Sequence, residues 1–285
     1  MYNRTLDQDT RLKPQSKRYR RWCIRRIELS WPELWHKRVD EITPEECREW
    51  AAQLNQEVAC HYYNNTIGTL RQILDCGFRD YADRTGTKLD NPAAGLSRAR
   101  VKQKELQLPE PDQFRRLLET VRKSSGGWGP RAADLIEFLA YSGLRVGSEA
   151  RWVTWGDIDW QRKEIVVRGN PETGTKNSEI RRVPTIHDLE RLLVRLRHDG
   201  ERSGTILKVT HCNESLARGC RELGIPKITH HDLRHLFATR CIESGVDIPT
   251  VSRWLGHKDG GALAMRVYGH LRNQHSQEMA KKVKF

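Results

Sequence analysis

Residues 229–240 read T-H-H-D-L-R-H-L-F-A-T-R, residues 254–259 read W-L-G-H-K-D, and residues 266–270 read R-V-Y-G-H. His231 and Arg234 stand three apart, so on a helix they share a face. Leu233, Leu236, Phe237 and Ile242 supply apolar positions at helical spacing on the other side. An imidazole and a guanidinium aimed the same way from a buried helix make a poor core. They make a good anion site, because the planar guanidinium fork matches a phosphate. His257 and Tyr268 follow within the same quarter of the chain.

Working outward, a second arginine appears in Y-S-G-L-R-V-G-S-E (141–149), where Arg145 follows a glycine that ends an apolar helix. Two arginines can brace the non-bridging oxygens of a phosphate as negative charge builds on them. Lys176 lies in N-P-E-T-G-T-K-N (170–177), between two strand-like runs, Ile165 to Arg168 and Glu179 to Val183, that pair as a hairpin. Taken singly, each residue also has an ordinary reading: Arg145 as a helix-end cap, Lys176 as an exposed loop lysine. The set and its order favour chemistry.

That set resembles the tyrosine recombinase (phage integrase) family. Ser142-Gly143-Leu144-Arg145 matches the family's T/S-G-x-R motif, His231-Asp232-Leu233-Arg234 its H-x-x-R box, and Leu255-Gly256-His257 its L-G-H box. Lys176 stands before Pro184 at the family's spacing. Two positions depart from the pattern. The family's carboxylate stands at position 148, whereas here Glu149 is one further; its nucleophile stands at position 266, an arginine here, so Tyr268 takes the role after a two-residue insertion at Gly260-Gly261. The match is strong over roughly residues 100 to 270.

The resemblance implies a mainly α fold with a small β-sheet or hairpin, in two domains: an N-terminal helical core-DNA-binding domain and a C-terminal α+β tyrosine-recombinase catalytic domain. It implies a site-specific DNA recombinase, an integrase that integrates or excises a mobile element without metal, ATP or other cofactor. Tyr268 attacks a scissile phosphate and forms a 3′-phosphotyrosine. Arg145, Arg234 and His257 hold the phosphate, Lys176 protonates the departing 5′ oxygen, and His231 accepts the tyrosine proton or holds the phosphate. Glu149 orients the cluster. The implied partners are double-stranded DNA attachment or core sites, and the protein itself as a tetramer on two duplexes; a directionality or host bending factor is a further one.

Composition agrees. The 285 residues carry 50 Lys plus Arg against 37 Asp plus Glu, a net +13 that favours a polyanion partner. The seven cysteines are scattered, with no C-x-x-C pair, which argues against a disulfide framework and for small buried side chains. His211, Cys212 and Cys220 are too widely spaced for a zinc knuckle, so no metal is assigned. A polar, charged start and no apolar run of membrane length point to a cytoplasmic protein, nucleoid-associated on DNA, with no membrane partner.

Four regions are expected. Residues 1–16 form an extended polar arm. Residues 17–96 form the helical domain, with a capped helix start at Thr43-Pro44-Glu45-Glu46 and a long helix from about 62 to 81. On the exposed face of that long helix, Asn65 and Arg71 are candidates for touching DNA. Residues 97–111 form a basic linker whose Arg98, Arg100, Lys102 and Lys104 suit a phosphate backbone. Residues 112–285 form the catalytic domain with a C-terminal tail. Three rivals share parts of this reading: a type IB topoisomerase-like relaxing enzyme, a catalytically dead DNA-binding relative, and a nuclease holding magnesium on Glu149, Asp157 and Asp159.

Overall fold

A computed structural model of the chain describes residues 2–102, 106–124, 127–176, 179–197, 203–258, 261, 262 and 265. The chain divides into two compact units, Met1–Lys104 and Glu105–Phe285.

The first unit is helical, with α1 (Tyr2–Gln8), α2 (Pro14–Ser30), α3 (Pro44–Glu57) and α4 (Cys60–Thr85). Thr43 opens α3 with a capping box: its Oγ1 accepts from Glu46 N at 3.2 Å, and Glu46 Oε2 accepts from Thr43 N at 3.0 Å. Such a cap contributes about 1 kcal/mol. Helix α4 outruns the expected span and stops at Gly86, whose φ of 72° closes the helix in the left-handed conformation. One face of α4, with Ile67, Leu70, Leu74 and Phe78, meets Ile27, Trp31, Trp50 and Leu54 in a single core. Trp31 stacks on Trp50 with centroids 5.6 Å apart, and Trp50 Nε1 donates to Ser30 Oγ at 2.9 Å.

Two expectations need correction here. The N-terminal arm is not extended, because Leu6 is buried and Tyr2 donates to Gln72 Oε1 at 2.6 Å, so residues 2–8 fold as a helix on α4. Nor is the 97–111 stretch a uniform tether. Ala99 belongs to the first unit, where Asn64 both donates to its carbonyl (2.9 Å) and accepts from its N–H (2.8 Å). Leu106 and Leu108 instead pack on the cores of the second unit. Leucines inside the basic run divided what charge alone had joined.

The second unit holds α5 (Pro111–Arg122), α6 (Trp128–Ser142), a sheet, α7 (His187–Leu196), α8 (Asn213–Glu222), α9 (His230–Glu243) and α10 (Ile248–Leu255). The sheet is β1 (Ile158–Asp159), β2 (Glu164–Val167) and β3 (Arg181–Pro184), antiparallel in the order β1-β2-β3. The expected hairpin is β2–β3, with Ile165 opposite Val183 and Val167 opposite Arg181. The two residues of β1 are too short to show period-2 alternation and pair Ile158 with Ile165. Ile165, Val167 and Val183 are fully buried on one face.

Two polar clusters tie the helices. Arg122 and Arg195 both reach Asp134 (2.9 and 2.7 Å) and Glu137, fastening α5 and α7 to α6. His230 Nε2 accepts from Cys212 N at 3.0 Å, joining the start of α9 to that of α8. Among the described residues no helix is long and apolar enough to cross a membrane.

Candidate active site

Helix α9 starts at a capping box the sequence reading passed over. Thr229 Oγ1 donates to Asp232 Oδ2 at 2.7 Å, and Thr229 N donates to the same oxygen at 2.9 Å. The T-x-x-D spacing was the available signal. Asp232 therefore works as a cap, which fixes where His231 and Arg234 emerge.

Helix α9 does not show an open polar face. Leu233, Arg234, Leu236, Phe237 and Ala238 are all buried, with Arg234 only 4 % exposed. A buried guanidinium demands acceptors, and two backbone carbonyls supply them. Arg234 Nη1 donates to Gly143 O at 2.6 Å and Nη2 to Leu255 O at 2.5 Å. Nη2 also lies 3.2 Å from His257 Nε2. Arginine only donates, so that imidazole nitrogen is the acceptor.

Arg145 converges on the same carbonyl. Its Nη1 donates to Leu255 O at 3.4 Å and to Glu149 Oε1 at 2.7 Å, while 23 % of its side chain stays open to solvent. Two glycines make the approach possible. Gly143 ends α6 at φ 65°, and an added Cβ would collide with the Phe237 ring and sit 3.0 Å from Leu255 Cδ2. Gly256 ends α10 at φ 67°.

Glu149 is fully buried. Burial alone would raise its carboxyl, but the hydrogen bonds and charge of Arg181, then those of Arg145, win and bring it down to about 2. Arg181 is the residue that the sequence reading missed. It donates Nη2 to Glu149 Oε2 at 2.8 Å, Nη1 to Oε1 at 3.1 Å, and Nε to Trp254 O at 2.7 Å. One arginine in a short strand of a basic chain carries no distinguishing pattern.

His231 keeps an exposed edge and packs its ring edge-on against His235, centroids 4.5 Å apart. Burial and then the Arg234 charge hold its imidazole below the usual value, with smaller contributions from Arg145 and Lys176 and opposition from Asp232. His235 is pushed further, to about 4, mainly by burial. Lys176 is exposed on the loop between β2 and β3. That loop is braced by paired bonds between Asn170 and Gly174 (2.7 and 3.2 Å) and by Thr175 Oγ1, which donates to Glu179 O and accepts from Glu179 N. The structure thus gathers Arg145, Glu149, Arg234 and His257 around one carbonyl, with His231 beside them in the field of Lys176. Tyr268, Lys104 and the Gly260 side of the inferred insertion lie outside the described residues.

The three carboxylates of the nuclease reading have separate partners. Glu149 lies between two arginines, Asp157 accepts from Thr154 and Arg168, and Asp159 accepts from Arg162 N. Among the described residues no three side chains group as metal ligands. A cavity of about 830 Å³ in this unit, lined by Phe114, Tyr141, Ile186, Phe237 and Trp254 among others, includes none of the site residues.

In the first unit, Arg71 is half-buried rather than on an open face. Its Nε donates to Ala93 O at 2.9 Å and its Nη2 to Leu96 O, so it ties down the segment after α4. Asn65 remains exposed, with its amide bonded to His61 O of the same helix. Asn65 and Arg98 border one polar cavity of about 520 Å³ with Gln15, Tyr19, Arg20 and Gln72. Arg100 and Lys102 are exposed.

Residues 109–275, more than half of the chain, match the sequence profile described as the phage integrase family. The chain is 27 % identical over 248 residues to tyrosine recombinase XerC of Alcanivorax borkumensis, covering 83 % of this chain and 78 % of that one. Its fold resembles the Tn1549 transposon integrase solved with circular intermediate DNA (TM-score 0.71, 18 % identity, 94 % and 93 % of the two chains). It also resembles the lambda integrase tetramer bound to a Holliday junction (TM-score 0.68, 19 % identity, 90 % and 72 %).

Proposed function

Because this chain belongs to the phage integrase family of tyrosine recombinases, enzymes that cut and rejoin DNA, we propose that it acts through a 3′-phosphotyrosine formed on Tyr268. The phenolic oxygen bonds to the scissile phosphorus as the bond from phosphorus to the 5′ oxygen breaks. Arg145 and Arg234 hold the non-bridging oxygens, and each such cationic donor is worth about 10²–10³ in rate. His257, fixed at Nε2 by Arg234, completes that side.

His231, with its imidazole held below the usual value, is neutral near pH 7 and accepts the phenolic proton. Lys176 gives a proton to the 5′ oxygen. Covalent capture conserves the phosphodiester energy, so a 5′-hydroxyl attacking the phosphotyrosine restores the backbone and frees the tyrosine. With the hydroxyl of a second duplex the product is recombinant, which calls for four protomers on two duplexes; the lambda integrase whose fold this chain resembles was solved as a tetramer bound to a Holliday junction. The substrates are core sites at the ends of a mobile element. Arg98, Arg100, Lys102 and Asn65 are the residues of the first unit proposed to meet DNA.

What carries the reading is the convergence of Arg145 and Arg234 on the Leu255 carbonyl beside His257. The test is a duplex selected for tight binding from a randomised pool, nicked so that cleavage traps the covalent product. A protein–DNA adduct mapping by peptide mass to Tyr268, and lost in Tyr268→Phe, is the expected result. An adduct on another residue refutes the assignment, and tight binding with no adduct leaves a DNA-binding protein.

A further inference from the structure

We infer that Arg181 is a positioning residue for strand cleavage: it fastens the foot of the Lys176 loop to the frame that holds Arg145 and Arg234. The inference rests on the reading of Lys176 as the acid.

Arg181 is the first residue of β3 and pairs with Val167, the last pair before the chain leaves the sheet into the loop that carries Lys176. Its side chain is 10 % exposed. All three guanidinium nitrogens are engaged, two with Glu149 and one with Trp254 O. Both partners belong to the phosphate-holding frame. Glu149 grips Arg145, and the carbonyl after that of Trp254 is the Leu255 oxygen on which Arg145 and Arg234 converge. A fork can span a carboxylate and a carbonyl together, whereas a lysine ammonium is a single point of attachment.

Gly256 supports the assignment independently. A Cβ there would lie 3.1 Å from Arg181 Nη1 and 3.2 Å from Cζ, so the glycine of the L-G-H turn leaves the space in which this guanidinium lies. The loop transmits the position of its foot because it is braced within itself, by Asn170 with Gly174 and by Thr175 with Glu179. A second strap joins the same two segments, from Glu179 Oε1 to Lys258 Nζ at 3.1 Å. A loop so braced and so strapped keeps Lys176 in register with the arginines.

A buried arginine could act on folding alone, so the test must separate positioning of the acid from stability. Two nicked duplexes of the selected sequence are compared, one natural and one with sulfur replacing the scissile 5′ oxygen. Cleavage of the second breaks a phosphorus–sulfur bond and releases a thiolate, whose conjugate acid has a pKa of about 8.5, so no proton donor is needed. Single-turnover adduct formation is measured for the wild type, Lys176→Ala, Arg181→Ala and Arg181→Lys.

On the natural duplex each variant is expected to lose about a hundredfold or more, the range of a general acid. On the sulfur duplex Lys176→Ala and the Arg181 variants are expected to recover most of that loss. Equal losses of the Arg181 variants on both duplexes, with Lys176→Ala restored, overturn the positioning role. Failure of Lys176→Ala to recover overturns Lys176 as the acid, and the proposal with it. Arg181→Lys, checked by DNA binding and thermal melting, carries the comparison if Arg181→Ala does not fold.

Discussion

Arg234 donates Nη1 to the backbone carbonyl of Gly143 at 2.6 Å, joining two sequence motifs that lie 91 residues apart. The glycine of S-G-L-R is thus more than a helix stop. Its left-handed backbone turns the carbonyl toward α9, and its missing side chain leaves room for Phe237 and Leu255. The arginine in turn reaches from there to Leu255 O, so the ends of α6 and α10 are fixed to each other through one guanidinium.

Gly143→Ala should therefore damage the site from a position that touches no substrate. The new Cβ meets the Phe237 ring and Leu255 at a positive φ that alanine disfavours. Overpacking of this kind costs about 1–3 kcal/mol, to which about 1–2 kcal/mol of backbone strain adds. Urea unfolding of the variant should show a loss of that size, with cleavage falling further than DNA affinity. Wild-type stability in Gly143→Ala would mean that the packing there is looser than the structure indicates.

Glu149 contributes to stability with a defined acid limb. Its folded carboxyl sits at about 2 against an ordinary value of 4.5. A depressed carboxylate contributes its full share above the unfolded value and loses it as pH falls from about 4.5 toward about 2. Glu149→Gln leaves Arg181 and Arg145 without their anion, and breaking a buried pair costs about 3–5 kcal/mol. Urea midpoints of the wild type and Glu149→Gln should differ most near neutral pH and approach one another below pH 4.5. A gap independent of pH would show that the carboxylate's charge is not what stabilises.

Arg145 and Arg234 should separate in their response to lysine. Arg145 keeps 23 % of its side chain open, whereas Arg234 is buried with both terminal nitrogens committed to protein acceptors. Arg145→Lys is expected to lower single-turnover cleavage by about 10²–10³ with little change in melting temperature. Arg234→Lys should lower cleavage at least as much and also destabilise, since a lysine cannot serve Gly143 O and Leu255 O together. Equal melting temperatures for the two variants would contradict the buried role of Arg234.

How much of this was legible beforehand divides along physical lines. The family, the mainly α fold and the β2–β3 hairpin came from local signals: motif order, helical spacing of leucines, a capping threonine and two short strand-like runs flanking a turn. What escaped was set by tertiary packing. Arg181 has no local signature because its meaning comes from Glu149, 32 residues away. Leu255 acts through its carbonyl, which every residue possesses. Residues 2–8 read as a polar arm because one buried leucine among charges gives no periodicity, and only α4 supplies the surface that makes them a helix. Arg71 looked like a surface residue on a helical wheel, but the segment after α4 folds back over it.

That last difference yields a contrast between arginines of the first unit. Arg71 bonds to Ala93 O and Leu96 O, so Arg71→Ala should cost about 1–3 kcal/mol by leaving carbonyls without donors. It should leave the salt dependence of DNA affinity unchanged, because its charge is turned inward to the chain. Arg98 and Arg100 are exposed, so Arg98→Ala and Arg100→Ala should leave stability within about 0.5 kcal/mol. Removing an arginine that neutralises one phosphate makes the plot of log affinity against log salt shallower by about 0.9. Binding titrations of the three variants over a range of salt, with thermal melts alongside, test the division. A reduced slope for Arg71→Ala would return Arg71 to the DNA surface, and unchanged slopes for both Arg98→Ala and Arg100→Ala would remove those two from it.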